Sequence, residues 1–144
     1  MKLISLFFIT IFLGKSCDAE QKQELESAKI EYTANTRGFY QNITIQNQTV
    51  TISKDRDGLE KPLVKKIADN DWKKMIKAFQ EIDLEGLPNL VSPTQKRFYD
   101  GAAIANMTIM YKDKTYESAN FDHGIPPVAI EKFVNQVTVL ALSE

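Results

Sequence analysis

The chain has 144 residues, with 18 basic and 19 acidic side chains and a net charge of −1. This length suits one domain, and it is long enough to bury a core without disulfides. The single cysteine excludes a disulfide within the chain. The balanced charge argues against the basic stripe of a nucleic-acid-binding protein, so we expect no nucleic-acid partner.

The N-terminal residues have the layout of an export signal. Lys2 is followed by an apolar run from Leu3 to Leu13, and no acidic residue precedes Asp18. A positive start and a short apolar run are typical of secretory signals. The run is shorter than the roughly 20 apolar residues that a transmembrane helix needs. We therefore predict that residues 1–16 are a signal peptide.

The signal ends in Gly14-Lys15-Ser16-Cys17, which resembles the lipoprotein signals of bacteria, and in particular the relaxed signals of the Bacteroidota. The resemblance implies that Cys17 is acylated, becomes the mature N-terminus and anchors the protein to a membrane of the cell envelope. Lys15 departs from the small residue that is usual at its position. The alternative is a secreted protein that is cut after Ala19, because Cys17 and Ala19 also form a small-x-small site.

The mature chain is expected to consist of a tether and one domain. Cleavage before Cys17 removes Lys2 and Lys15 but no acidic residue, so 16 basic and 19 acidic residues remain and the net charge becomes −3. Residues 17–26 are mostly polar and contain no aromatic residue, which predicts a lipidated cysteine followed by a flexible tether. We expect a single α+β domain over residues 27–144.

Alternating apolar and polar residues predict strands in two parts of the domain. Three segments form a meander, and a strand pair follows an irregular connection at residues 84–99. Pro62 interrupts the pattern, and residues 62–68 fit either a short strand or a first helical turn. The predicted strands lie in residues 29–33, 39–46, 49–53, 103–111 and 115–121.

Two segments carry an apolar stripe at helical spacing. Asp69 or Asn70 is expected to cap the first helix, which ends near Glu81, and Pro126 and Pro127 open the second. The order strands, helix, two strands, helix predicts an α+β fold, with an antiparallel sheet of about five strands and both helices on one face. The stripes consist of Trp72, Met75, Ile76 and Phe79 in the first helix and of Ile130, Phe133, Val134, Val137, Leu140 and Ala141 in the second.

His123 is the only histidine and the one candidate for acid–base chemistry. A hydrolase would use it with Asp122 or Asp100. A turn between a strand and a helix explains Asp122, His123 and Gly124 without a reaction. The sequence lacks a G-x-S-x-G nucleophile motif, and one histidine without a cysteine partner is a poor metal set. We therefore predict no catalytic residue, no metal and no cofactor.

The first hairpin carries a possible recognition edge, because two aromatic residues lie beside an arginine and a glycine. We expect one of these two aromatic side chains to belong to the core instead. The candidate binding residues are Arg37, Phe39, Tyr40, Asp100, Asp122 and His123.

Three glycosylation sequons begin at Asn42, Asn47 and Asn106. They matter only in a eukaryotic secretory pathway, so a eukaryotic secreted protein stays open as an alternative. In a bacterial lipoprotein they are expected to be strand residues on a solvent-exposed face.

Four features follow one another along the domain: the turn Thr36-Arg37-Gly38-Phe39, a central helix, a strand pair in residues 100–121 and a Pro-started helix in residues 125–140. This order resembles emfourin, a small inhibitor of thermolysin-like metalloproteases. The resemblance implies an emfourin-like fold and protease inhibition, and it assigns no role to a single residue.

The leading hypothesis is a non-catalytic binding module that is anchored in the cell envelope and binds an envelope or extracellular protein. It rests on the predicted anchor, the single domain and the lack of paired catalytic groups. An emfourin-type inhibitor and a hydrolase centred on His123 are the alternatives.

Overall fold

A computed structural model describes residues 23–143 of the chain. Seven strands form one antiparallel sheet and two helices pack on one face of it, which confirms the predicted α+β fold. The predicted signal, Cys17 and residues 18–22 lie outside the described residues. The elements are β1 (Lys29–Thr36), β2 (Phe39–Gln46), β3 (Thr49–Ser53), β4 (Leu63–Lys66), α1 (Asp69–Gln80), β5 (Ile104–Tyr111), β6 (Lys114–Glu117), β7 (Phe121–Asp122) and α2 (Glu131–Leu140).

The strands lie in the order β4-β3-β2-β1-β5-β6, and β7 also pairs with β5. β1 is central, because β2 pairs with one of its sides and β5 with the other. Tyr32 of β1 stands opposite Ile43 of β2 and Met107 of β5. Because cross-strand partners share a face, this register places the apolar residues of three strands on one side of the sheet.

The apolar side of the sheet is buried under α1 and α2. The ring centroid of Phe79 in α1 lies 6.0 Å from that of Tyr111 in β5 and 5.8 Å from that of Phe133 in α2. Trp72 is 6% exposed, as its helical spacing predicts. Each large apolar side chain buried in this way contributes about 1.5–3 kcal/mol to folding.

The opposite side of the sheet, here called the outer face, is polar. The side-chain amide of Asn42 donates to Glu31 over 2.9 Å and to Thr33 over 3.2 Å. Asn106 donates to Glu117 over 2.9 Å. Two of the three sequon asparagines therefore lie on the predicted polar face of strands.

The sheet contains more strands than the sequence predicted. Residues 63–66, which fitted a strand or a helical turn, form β4 beside β3. The strand predicted at residues 115–121 is divided into β6 and β7 at Ser118. The hydroxyl of Ser118 accepts a hydrogen bond from the backbone N–H of Met107. The backbone N–H of Ser118 donates a hydrogen bond to the carbonyl of Met107. These two hydrogen bonds hold the chain against β5 between the two short strands.

The cap predicted for the first helix is wrong. Ala68 precedes α1 at the N-cap position, and no side chain caps the helix. Asp69 instead accepts a 2.7 Å hydrogen bond from the side chain of Gln48. Its carboxylate therefore joins the helix to the β2–β3 turn.

The domain begins within the segment that composition assigned to the tether. Leu25 is 1% exposed and belongs to the core. Gln23 donates to the carbonyl of Ile82, and the N–H of Glu24 donates to the hydroxyl of Tyr111. Residues 23–25 therefore contact the domain, and Leu25, a single apolar residue in a polar stretch, was the available sequence signal.

Candidate binding surface

The carboxylate of Asp122, in β7, is fully buried and bonded to a loop far away in sequence. It accepts hydrogen bonds from the Thr94 hydroxyl, from the N–H of Lys96 over 2.7 Å and from the N–H of Arg97 over 3.1 Å. The guanidinium of Arg97 adds a further bond of 3.0 Å. Four donors therefore converge on one carboxylate.

These contacts keep Asp122 ionised. Burial raises the pKa of a carboxyl, but the hydrogen bonds from the loop outweigh burial and lower the pKa of Asp122 to about 2. Its charge is balanced by Arg97, whose side chain is 11% exposed. A buried, charge-assisted network of this kind holds the backbone of the loop in one conformation.

Residues 92–100, here called the anchored loop, are also held by hydrogen bonds within the loop and from the residue that follows it. The hydroxyl of Ser92 donates to the carbonyl of Thr94 over 2.7 Å, and the N–H of Gly101 donates to the carbonyl of Lys96 over 2.8 Å. Asp100 has a left-handed φ of 58°, which lets the chain reverse into β5. Asp100 and Gly101 thus form a turn between the anchored loop and β5.

The anchored loop presents two adjacent aromatic side chains to solvent. Phe98 is 76% exposed and Tyr99 is 70% exposed. The guanidinium carbon of Arg97 lies 4.5 Å from the ring centroid of Phe98. A Cβ atom at Gly101 would lie 2.8 Å from the ring of Tyr99, so glycine leaves room for that ring. Exposed aromatics held by a fixed backbone are typical of binding surfaces.

A row of side chains continues from the loop across the outer face. Ile104 of β5 is opposite Asp122 on one side and Asn35 of β1 on the other, and Asn35 is opposite Tyr40 of β2. Arg56 reaches this row from the β3–β4 loop, and its guanidinium carbon lies 5.9 Å from the Tyr40 ring centroid. The row thus has one arginine–aromatic pair at each end, with Ile104 between them.

His123 and Asp122 are neighbours in sequence but have different hydrogen-bond partners. Its Nδ1 lies 2.7 Å from the hydroxyl of Tyr32, and its ring centroid lies 5.2 Å from that of Phe39. Burial lowers the pKa of His123 and raises the pKa of Tyr32, so both groups are neutral at pH 7. The turn predicted here is confirmed, because Gly124 has a φ of 88° between β7 and the two prolines.

The predicted binding residues occupy the same end of the sheet but not one cluster. Phe39 contacts His123, whereas Tyr40 lies on the outer face beneath Arg56. Phe39 is 39% exposed and Tyr40 is half-buried, so the prediction that one of them belongs to the core is wrong. Arg37 is exposed in the hairpin turn.

The sequence did not predict five residues of this surface. The residues it did not select are Arg56, Arg97, Phe98, Tyr99 and Ile104. Two adjacent aromatics outside any periodic segment were an available signal. No local pattern indicated that the loop bonds to Asp122, because the partners are 25 to 28 residues apart.

In the β3–β4 loop, one carboxylate accepts hydrogen bonds from the backbone of the same loop. Asp55 accepts hydrogen bonds from the backbone N–H groups of Asp57, Leu59 and Glu60. Among residues 23–143, no group of three or more histidine, cysteine, aspartate or glutamate side chains is arranged to hold a metal ion. The carboxylate of Asp55 thus shapes the loop that carries Arg56.

Comparison with known proteins finds no matching family model, no matching curated protein and no matching solved structure. In the described part of the chain, no helix is long and apolar enough to cross a membrane.

Proposed function

We propose that this protein is a non-catalytic binding module, anchored in a cell envelope through Cys17, that binds another protein with its anchored loop. One observation carries the proposal. The buried carboxylate of Asp122 fixes a loop on which Phe98 and Tyr99 are both at least 70% exposed.

The physical advantage of this arrangement is preorganisation. Aromatic and arginine side chains dominate the binding energy of protein interfaces. A loop that is already ordered loses less conformational entropy when the partner arrives. The bonds from Lys96 and Arg97 to Asp122 order the loop before binding, so the exposed rings are ready for contact.

The envelope address comes from the sequence. The signal resembles that of a lipoprotein, and only five residues separate Cys17 from Gln23. Five residues span at most about 20 Å when fully extended. An acylated Cys17 would therefore hold the domain close to the membrane surface.

A binding role also agrees with the hydrogen bonds of Asp122 and His123, the titratable groups that a hydrolase would use. The carboxylate of Asp122 is bonded to the anchored loop, and His123 is bonded to Tyr32. A hydrolase centred on His123 remains the alternative class. It predicts that His123→Ala abolishes hydrolysis of a substrate panel, whereas a binding module shows no hydrolysis with either chain.

The direct experiment is affinity capture from envelope extracts with the full-length chain. The double variant Phe98→Ala/Tyr99→Ala is expected to lose the captured protein. Val139→Ala/Leu142→Ala is a matched control, because these side chains are 57% and 77% exposed on the helical side. A protein captured equally by both variants, or by neither the wild type nor the control, would contradict the proposal.

A second candidate is an emfourin-type protease inhibitor. It is favoured by the order of elements, since a strand meander, a central helix, a strand pair and a final helix follow one another along the chain. This candidate predicts that micromolar full-length protein slows peptide hydrolysis by a thermolysin-like metalloprotease. An unchanged rate at micromolar excess would remove it.

A further inference from the structure

The row on the outer face lies at the end of the sheet opposite to the first described residues. β1 begins at Lys29, next to the first described residues, and Asn35 near its other end pairs with Ile104. Six residues of extended strand span about 20 Å. A partner can therefore reach Ile104 from the side of the domain that faces away from the predicted anchor.

Arg56 is held at this row without a carboxylate partner. Its Nη2 donates to the side chain of Asn35 over 3.2 Å and to the carbonyl of Thr36 over 2.6 Å. Both acceptors are neutral. In the part of the chain that the structure describes, Arg56 forms no ion pair, and its other guanidinium N–H groups have no acceptor. A guanidinium carries five donors in a planar fork that fits a carboxylate.

The neighbouring acidic side chains do not form an ion pair with Arg56. Asp55 is next to Arg56 in sequence, but its oxygens accept the N–H groups of its own loop. Asp57 and Asp100 are exposed, and neither forms an ion pair with Arg56 in the described part of the chain. The positive charge of Arg56 is thus held by two neutral acceptors, and no carboxylate of the described residues pairs with it.

We propose that the row binds an extended acidic segment of the partner protein. A carboxylate of that segment bonds to Arg56, and a neighbouring apolar side chain packs on Ile104 between Tyr40 and Phe98. The row crosses β2, β1 and β5 and reaches the anchored loop, a width of about 15 Å at the spacing of strands. Four or five extended residues cover about that length. This inference rests on the proposed function, because it names the partner chemistry of the same surface.

The test uses a photo-crosslinking amino acid placed at position 104 of the full-length chain in the cells that produce it. A second chain carries it at position 139, on the helical side. Adducts are identified by mass spectrometry, and the crosslinked partner peptide is mapped. The charge variant is Arg56→Glu, with Lys73→Glu on the exposed side of α1 as its matched control.

The expected result is a protein adduct from position 104 whose mapped peptide contains aspartate or glutamate beside an apolar residue. Arg56→Glu should reduce its yield at least tenfold, whereas Lys73→Glu should leave it unchanged. The affinity of the purified pair should fall as salt is raised, because the contact is between charges. Arg56→Lys keeps the charge and should retain part of the affinity, which separates loss of binding from loss of folding.

Five results would overturn the inference. An undiminished adduct in Arg56→Glu, or a mapped peptide without acidic residues, excludes the acidic segment. A lipid or glycan adduct at position 104 excludes a protein ligand there. Protein adducts from position 139 alone contradict both this inference and binding through the anchored loop, but they are compatible with a binding role for the helical side. Protein adducts from neither position contradict the proposed function itself.

Discussion

The guanidinium of Arg97 lies 3.0 Å from the carboxylate of Asp122, and the two residues are 25 positions apart in the chain. Asp122 is fully buried, and Arg97 is nearly so. The pair joins the anchored loop to the edge of the sheet. It thereby connects the packing of the domain to the exposure of the two rings that we assign to binding.

Replacing Asp122 with asparagine should destabilise the protein by about 3 kcal/mol, because the change leaves a buried guanidinium and several N–H groups without their charged acceptor. Urea unfolding of the mature protein measures this loss. Asp71→Asn is the matched control, since Asp71 forms an exposed pair with Lys74 on α1. The control should change stability by less than about 0.5 kcal/mol. Equal losses in both variants would contradict the assigned role of Asp122.

The same carboxylate should be visible in the pH dependence of stability. Its pKa is about 2 in the folded protein and about 3.9 in an unfolded chain. The unfolded state binds more protons between these values, so the stabilisation is complete above about pH 4 and disappears as the pH falls towards 2. Unfolding free energies measured across this window should decline more steeply for the wild type than for Asp122→Asn. Parallel curves would be incompatible with this assignment.

Tyr32→Phe should destabilise the protein by about 1 kcal/mol, because Nδ1 of the half-buried His123 loses its hydrogen-bond partner. Thermal or urea unfolding provides the measurement. Tyr40→Phe is the control, because the ring of Tyr40 contacts Arg56 and its hydroxyl has no hydrogen bond in the described structure. A larger effect in the control would show that the Tyr32–His123 contact contributes little.

Cys17→Ser should release the protein from the membrane fraction. Acylation requires the thiol, and stable anchoring needs more than one acyl chain. Intact mass of the membrane-extracted wild type should show the acyl groups on a chain that begins at Cys17. A wild-type chain that begins after Ala19 and carries no lipid would instead establish the secreted alternative.

The regular part of the fold could be predicted because its physical cause is local. Alternation around Tyr32 and Met107 follows from burial of one face of the sheet, and the stripe around Phe79 follows from burial of one face of a helix. β4 stayed ambiguous, because Leu63 and Val64 are 51% and 58% exposed at the sheet edge and show no alternation. A two-residue strand such as β7 is too short to have a period.

The candidate surface could be predicted only in part. The sequence identified Tyr40 and Asp122 from their neighbours along the chain. The network between Asp122 and the anchored loop depends on tertiary contacts, which local patterns do not encode. Arg56 lies in the β3–β4 loop, and its contact with Asn35 and Thr36 of β1 depends on how the strands are ordered.

The most direct test of the anchored loop as the binding surface is the dissociation constant of the purified partner for three forms of the full-length chain. We predict that Phe98→Ala/Tyr99→Ala weakens binding by roughly 30-fold or more, the size of a typical interface hot spot. Val139→Ala/Leu142→Ala should bind within twofold of the wild type, and all three chains should unfold within about 1 kcal/mol of one another. Wild-type affinity in the aromatic variant would contradict the claim that the anchored loop is the binding surface.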